Sequence, residues 1–161
     1  MPDPGDEVQR AIAACLARYL PAGGRLAVGY SGGLDSTVLL HALVGLRQLH
    51  HLSVSAVHVH HGLSPQADAW TAHCQGVCDV LEIPLAVHRV GVNPTGQGLE
   101  AAAREARYQV FSKQDADAIL LAQHQDDQAE TVLLQLWRGA SVKGMSAMPE
   151  CRQLVPGTLL L

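Results

Sequence analysis

The stretch Arg25-Leu26-Ala27-Val28-Gly29-Tyr30-Ser31-Gly32-Gly33-Leu34-Asp35-Ser36 decides how this chain folds. Residues 25–30 are short and mostly apolar, as expected of a buried strand. Ser31 to Ser36 reads as a loop. Residues 37–49 then place Val38, Leu39, Ala42, Leu43 and Leu46 at helical spacing. Strand, glycine turn and helix therefore follow one another directly. Two adjacent glycines let the backbone turn sharply and approach a ligand closely. The helix that follows points free N–H groups at the same place, which makes an anion cradle. A plainer reading of the glycine pair alone is a tight turn capped by Asp35 or Ser36.

Outward from this unit the same alternation continues. Residues 7–19 form an amphipathic helix with Val8, Ile12, Cys15, Leu16 and Tyr19 on one face, ended by Pro21-Ala22-Gly23-Gly24. Downstream, residues 53–60 and 85–90 read as strands, 66–82 and 99–115 as helices. Ala118 to Ala122 is an apolar fourth strand, and 126–138 is a further helix. Strand–helix alternation predicts an α/β fold: a doubly wound, mainly parallel sheet with helices on both faces. Ligands of such sheets bind at the carboxyl ends of the strands. That rule puts the loops after residues 30, 60, 90 and 123 on one rim.

Bulk properties narrow the class. At 161 residues, 48% apolar and 16% charged, the chain is expected to form one domain, 1–161, with a single core. No apolar run approaches the roughly 18 residues of a membrane span. Met1 to Asp6 lacks a signal-peptide layout, so a cytosolic protein without membrane contact is expected. The net charge of −4 and the 4% aromatic content argue against tight RNA binding by this chain alone. Cys15, Cys74, Cys78 and Cys151 form no C-x-x-C pair and read as small packing residues. The apolar tail, Gln153 to Leu161, looks like the start of another element, so a truncated chain is expected.

Four stretches carry chemistry. Ser31 to Ser36 is not G-x-x-x-x-G-K-[ST], because it has no lysine. His58-Val59-His60-His61-Gly62-Leu63-Ser64-Pro65-Gln66-Ala67-Asp68 puts His58 and His60 on one strand face. A metal-hydrolase reading of it fails, since Gly62 stands where an aspartate is needed. Glu100-Ala101-Ala102-Ala103-Arg104-Glu105-Ala106-Arg107-Tyr108 sets Arg104 and Arg107 side by side, with Glu100 and Arg104 spaced as a helical ion pair. Leu121-Ala122-Gln123-His124-Gln125-Asp126-Asp127-Gln128-Ala129-Glu130-Thr131 straddles a strand end and a helix start. A capping box of Asp127 with Glu130 explains part of it, but not His124 with a double aspartate.

Ser31 to Ser36 resembles the S-G-G-x-D-S pyrophosphate loop of the ATP-pyrophosphatase superfamily at all defined positions. The other three stretches are similar to the H-V-x-H-G-L-x-x-x-A-D, E-x-x-A-R-x-x-R-Y and H-x-D-D-Q-A-E-T segments of the tRNA(Ile)-lysidine synthetases, and Trp137-Arg138-Gly139 to the R-G that follows. The resemblance spans residues 26–148. It implies an N-terminal PP-loop catalytic domain, an ATP-dependent carbon–nitrogen ligase. ATP would adenylate the wobble cytidine of a CAU anticodon at C2, releasing pyrophosphate. Free L-lysine would then displace AMP, so that AUA is read as isoleucine. It further implies that Ser31, Gly32, Gly33, Leu34, Asp35 and Ser36 hold ATP with His58 at the border, and that Asp35 helps place Mg²⁺. Either Arg104 or Arg107 would reach phosphate or tRNA. Asp126 and Asp127 are candidates to orient the lysine amine, with His124 beside them. Family members continue into tRNA-gripping regions, which are expected to be absent here. Two rivals stand: a thiolase working through Cys15, Cys74 or Cys78, and an ATP-binding sensor without enzymatic activity.

Overall fold

The computed structural model describes residues 4–20, 23–92, 98–122 and 150–161. The elements run α1 (Pro4–Tyr19), β1 (Gly24–Gly29), α2 (Leu34–Leu46), β2 (Leu52–His60), α3 (Ala67–Val80), β3 (Leu85–Arg89), α4 (Leu99–Phe111), β4 (Ala118–Leu120), β5 (Arg152–Val155) and β6 (Thr158–Leu160). The sheet order is β3-β2-β1-β4-β6-β5, parallel throughout except for the β5–β6 hairpin.

Alternation along the strands builds two cores. Leu26, Val28, Val54, Ala56, Ala118 and Leu120 point to one face, where Leu16 of α1, Leu40 and Leu43 of α2, and Cys74 and Cys78 of α3 cover them. Ala27, Val57, Ile119 and Leu160 point to the other face, under Val110 and Phe111 of α4. Helices on both faces of a mainly parallel sheet are the architecture the sequence pattern predicts.

After β1 the chain steps outward through β2 and β3. It then crosses back over the other face along α4 and lays β4 on the opposite side of β1. The strand order therefore reverses between β1 and β4, and the crevice outside their carboxyl ends is where such sheets take ligands. Gly29 lets this junction close: a Cβ there would lie 2.5 Å from Leu121 Cδ2 and 2.9 Å from Phe111 Cζ.

Two details differ from the sequence reading. Helix α2 starts at Leu34 with Gly33 as its N-cap, and neither Asp35 nor Ser36 caps it. The hydroxyls of Ser36 and Thr37 lie inside the first turn and donate back to the Gly33 carbonyl at 3.0 and 2.8 Å. The tail forms two strands rather than one incomplete element. Pro156 and Gly157 make the turn, with Gly157 at φ +88°, the left-handed position that glycine takes in a Pro-Gly turn. Residues 123–149, including the helix expected at 126–138, lie outside the described residues.

Candidate functional site: a cleft at the carboxyl edge

The glycine loop is held open by its own serines. Gly32 adopts φ +83°, and a Cβ there would sit 2.9 Å from Cys74 Sγ, so the turn needs glycine on both counts. Ser31 Oγ accepts the Gly33 N–H at 3.2 Å and lies 3.1 Å from Ser36 Oγ. Tyr30 anchors the strand end: it is buried, and its hydroxyl lies 3.2 Å from Thr37 Oγ1. The first turn of α2 meets this loop end-on with no side chain capping it. Its leading N–H groups and dipole favour an anion in front of the loop. Leu34 and Asp35 are exposed there, with Asp35 in that first turn.

Beside the loop opens a cleft of about 390 Å³, within the range of small-molecule sites. Gly29, Tyr30 and Ser31 of the β1 end form one side, and β2 and its following loop, from Val57 to Ser64, form the floor. Trp70 of α3 closes one end, and Arg107 and Phe111 of α4 the other, with Leu121 after β4. The cleft thus sits on the predicted rim, at the reversal between β1 and β4.

The histidines at the end of β2 and just after it divide by face. His58 is buried, with Nδ1 2.9 Å from the Tyr30 carbonyl and 3.5 Å from Cys74 Sγ, so it braces the β1 end from beneath. His60 is buried as well, 3.2 Å from Asp68 Oδ1, and Arg89 donates to that oxygen at 2.7 Å. Arg89's hydrogen bond, and then its charge, holds the Asp68 carboxyl below its usual range. This network fastens the start of α3 to the end of β3. His61 turns to the other face: it lines the cleft, its Nδ1 is buried without a partner, and burial followed by the Arg107 charge pushes its pKa down.

The two arginines of α4 separate. Arg107 lines the cleft. Arg104 turns away from it, donating to the Tyr108 hydroxyl at 3.2 Å and lying 5.3 Å from that ring's centre, rather than back to Glu100. Arg152 covers the same ring at 4.8 Å.

Of the residues singled out in the sequence, Ser31 to Ser36, His58 and Arg107 are gathered at the carboxyl edge, and Arg104 stands outside the cleft wall. His124, Asp126 and Asp127 lie outside the described residues. His61 and Trp70 were missed. Period-two alternation past His58 and His60 could have assigned His61 to the α4 face. Trp70 is 51% exposed, and its place at the cleft follows only from how α3 docks. Cys74 and Cys78 are fully buried free thiols, each pushed by burial up to about 11, which makes them poor nucleophiles. Among the described residues no three His, Cys, Asp or Glu side chains gather as a metal site, and no helix is long and apolar enough to cross a membrane.

Comparison with known proteins agrees with this geometry. The PP-loop domain family matches residues 5–160. The tRNA(Ile)-lysidine synthase of Chromobacterium violaceum is 57% identical over 135 residues, covering 83% of this chain and 31% of that protein. The enzymes of the same name from Nitrosomonas europaea and Pseudomonas fluorescens are 57% and 54% identical over 136 residues, 30% of each. The chain therefore spans less than a third of the length of these relatives. Among solved structures, the U34-tRNA thiolase NcsA from Methanococcus maripaludis, solved with its 4Fe–4S cluster, shares the fold at TM-score 0.70. That match has 20% identity and covers 86% of this chain and 51% of that one. On the family match and the glycine loop together, the chain belongs to the PP-loop domain family.

Proposed function

We propose that this chain is the nucleotide-binding catalytic domain of a tRNA(Ile)-lysidine synthase. The observation that carries the reading is the glycine loop, with its uncapped helix start, opening onto the carboxyl-edge cleft. Identity of 54–57% to synthases of that name supports the choice within the family.

ATP is the nucleotide in this reading. The N–H groups at Gly32 and the first turn of α2 face its β- and γ-phosphates, while Ser31 Oγ takes the Gly33 N–H and lies against Ser36 Oγ to keep the loop in shape. Asp35 is exposed in that same turn. A single carboxylate beside bound phosphates suits Mg²⁺, which takes most of its ligands from phosphate and water, so Asp35 would hold it. The ion would supply charge neutralisation for the departing pyrophosphate. Arg107 brings a second positive charge into the cleft.

Two displacements follow. O2 of the wobble cytidine in a CAU-anticodon tRNA(Ile) attacks the α-phosphorus, and pyrophosphate leaves. The ε-amine of free L-lysine then attacks C2, and AMP leaves with O2. The amine must lose its proton to attack. Asp126 and Asp127 are the proposed carboxylates that orient it, with His124 beside them, and Asp127→Asn should slow lysine transfer far more than ATP binding. Arg104, outside the cleft on the surface of α4, is proposed to meet tRNA backbone. The grip on the rest of the tRNA belongs to regions beyond this chain, in keeping with its net charge of −4. A protein working in the cytosol, where tRNA, ATP and lysine are found together, fits the reading.

The test is ATP–pyrophosphate exchange and labelled-lysine incorporation with CAU-anticodon tRNA(Ile). Exchange that requires the tRNA, followed by lysine incorporation when the tRNA-gripping regions are supplied, is the expected result. Sulfur incorporation into tRNA, lost when Cys15, Cys74 and Cys78 are replaced by Ser, would favour a thiolase. ATP that is bound and survives incubation with tRNA and lysine would favour a sensor.

A further inference from the structure

His61 is the one place in the described cleft wall where a polar atom is buried with nothing to bond. Its Nδ1 has no partner. A neutral imidazole carries one N–H and one bare nitrogen. A buried N–H without an acceptor is the rarer and costlier arrangement, so the bare nitrogen belongs at Nδ1 and the proton at Nε2. Nε2 has no hydrogen-bond partner among the described residues, and His61 lines the cleft. Burial first, then the Arg107 charge, then His58 and His60 push the His61 pKa down and so favour the neutral ring.

In this tautomer His61 offers the cleft a donor only, and the guanidinium of Arg107 also offers donors only. A group that meets both must be rich in acceptors. Ser31, the first residue of the glycine loop, lines the same cleft, so phosphates held by the loop enter it from that side. We propose that His61 donates its Nε2–H to a phosphoryl oxygen of the bound nucleotide, sharing that group with Arg107, and is therefore a nucleotide-contacting residue. The inference rests on the nucleotide reading above and adds a residue to it.

The experiment compares ATP and adenosine binding in the wild-type protein and in H61A, H61Q and H61N. The glutamine amide reaches the place of Nε2, and the asparagine amide the place of Nδ1. H61A should weaken ATP binding about tenfold or more, the worth of a hydrogen bond to a charged oxygen, and leave adenosine binding unchanged. H61Q should restore most of the loss and H61N should not. Unchanged ATP binding in H61A would overturn the proposal. So would adenosine weakening in parallel with ATP, which would move the contact to base or sugar. Rescue by H61N alone would overturn it too, since the working atom would then be Nδ1. A wild-type protein that binds neither ligand would overturn the nucleotide reading itself.

Discussion

Two hollows of nearly equal size lie at opposite edges of the sheet, about 390 Å³ at the carboxyl edge and about 380 Å³ at the amino edge. Size does not tell them apart; their walls do. The amino-edge hollow lies among Leu16, Leu20, Leu49 and Leu52, with the turn at His50 and His51 closing it. Gly23 sits there at φ +81°, and a Cβ on it would meet the carbonyl oxygens of both histidines at 2.8 Å. Nearby, Asp117 accepts the Arg25 backbone N–H at 2.8 Å and its guanidinium at 3.0 Å, while Asp115 takes a second guanidinium nitrogen. The ion pairs at that edge tie the start of β1 to the chain just before β4. The carboxyl edge instead leaves an uncapped helix start, an arginine in the cleft wall and an unpartnered imidazole nitrogen. One edge is built to hold the fold, the other to meet something.

The contrast can be broken from either side. Gly23→Val should have the largest effect. A left-handed backbone and a clash with two carbonyls together cost on the order of 3 kcal/mol, or roughly 10 °C in thermal melting, with ATP affinity of the folded protein unchanged. Arg107→Ala should do the opposite, leaving melting within about 0.5 kcal/mol and weakening ATP binding on the order of tenfold to a hundredfold by isothermal titration. If melting and affinity fell together in either variant, the two edges would not be separable.

Smaller substitutions sharpen the same division. Asp117→Ala removes an exposed ion pair and one hydrogen bond to backbone and should cost about 1 kcal/mol by denaturant unfolding, again without loss of ATP affinity. Asp68→Asn tests the carboxyl edge by pH. The Asp68 pKa lies below its ordinary 3.8 in the folded state, held down by Arg89. Its contribution is therefore full above about 3.8 and is lost as pH falls through the folded value. The acid limb of the stability curve should flatten in the asparagine variant, and an unchanged limb would mean the Arg89 pair contributes nothing.

Much of this was legible in the sequence because it is written locally. The apolar run 25–30, the glycine pair and the helical spacing after it predict a strand–turn–helix unit, and alternation repeats it along the chain. The helix start was misjudged for an equally local reason: aspartate and serine read as caps, yet Gly33 is the N-cap and Ser36 bonds backward to it from inside the first turn. What the sequence could not show depends on docking. That Arg107 faces the cleft while Arg104 stacks on Tyr108 is set by the rotation of α4 on its core, fixed by Val110 and Phe111. That His61 lacks a partner is set by which chain segments pass beside it.

The central claim, that the carboxyl edge is the nucleotide site and the amino edge is not, is tested most directly by amide hydrogen exchange with and without MgATP. The account predicts slowed exchange at residues 31–37 and 58–64 and no change at 23–26 and 49–52. Protection at the amino edge instead, or none at the glycine loop in protein saturated with ATP, would contradict it.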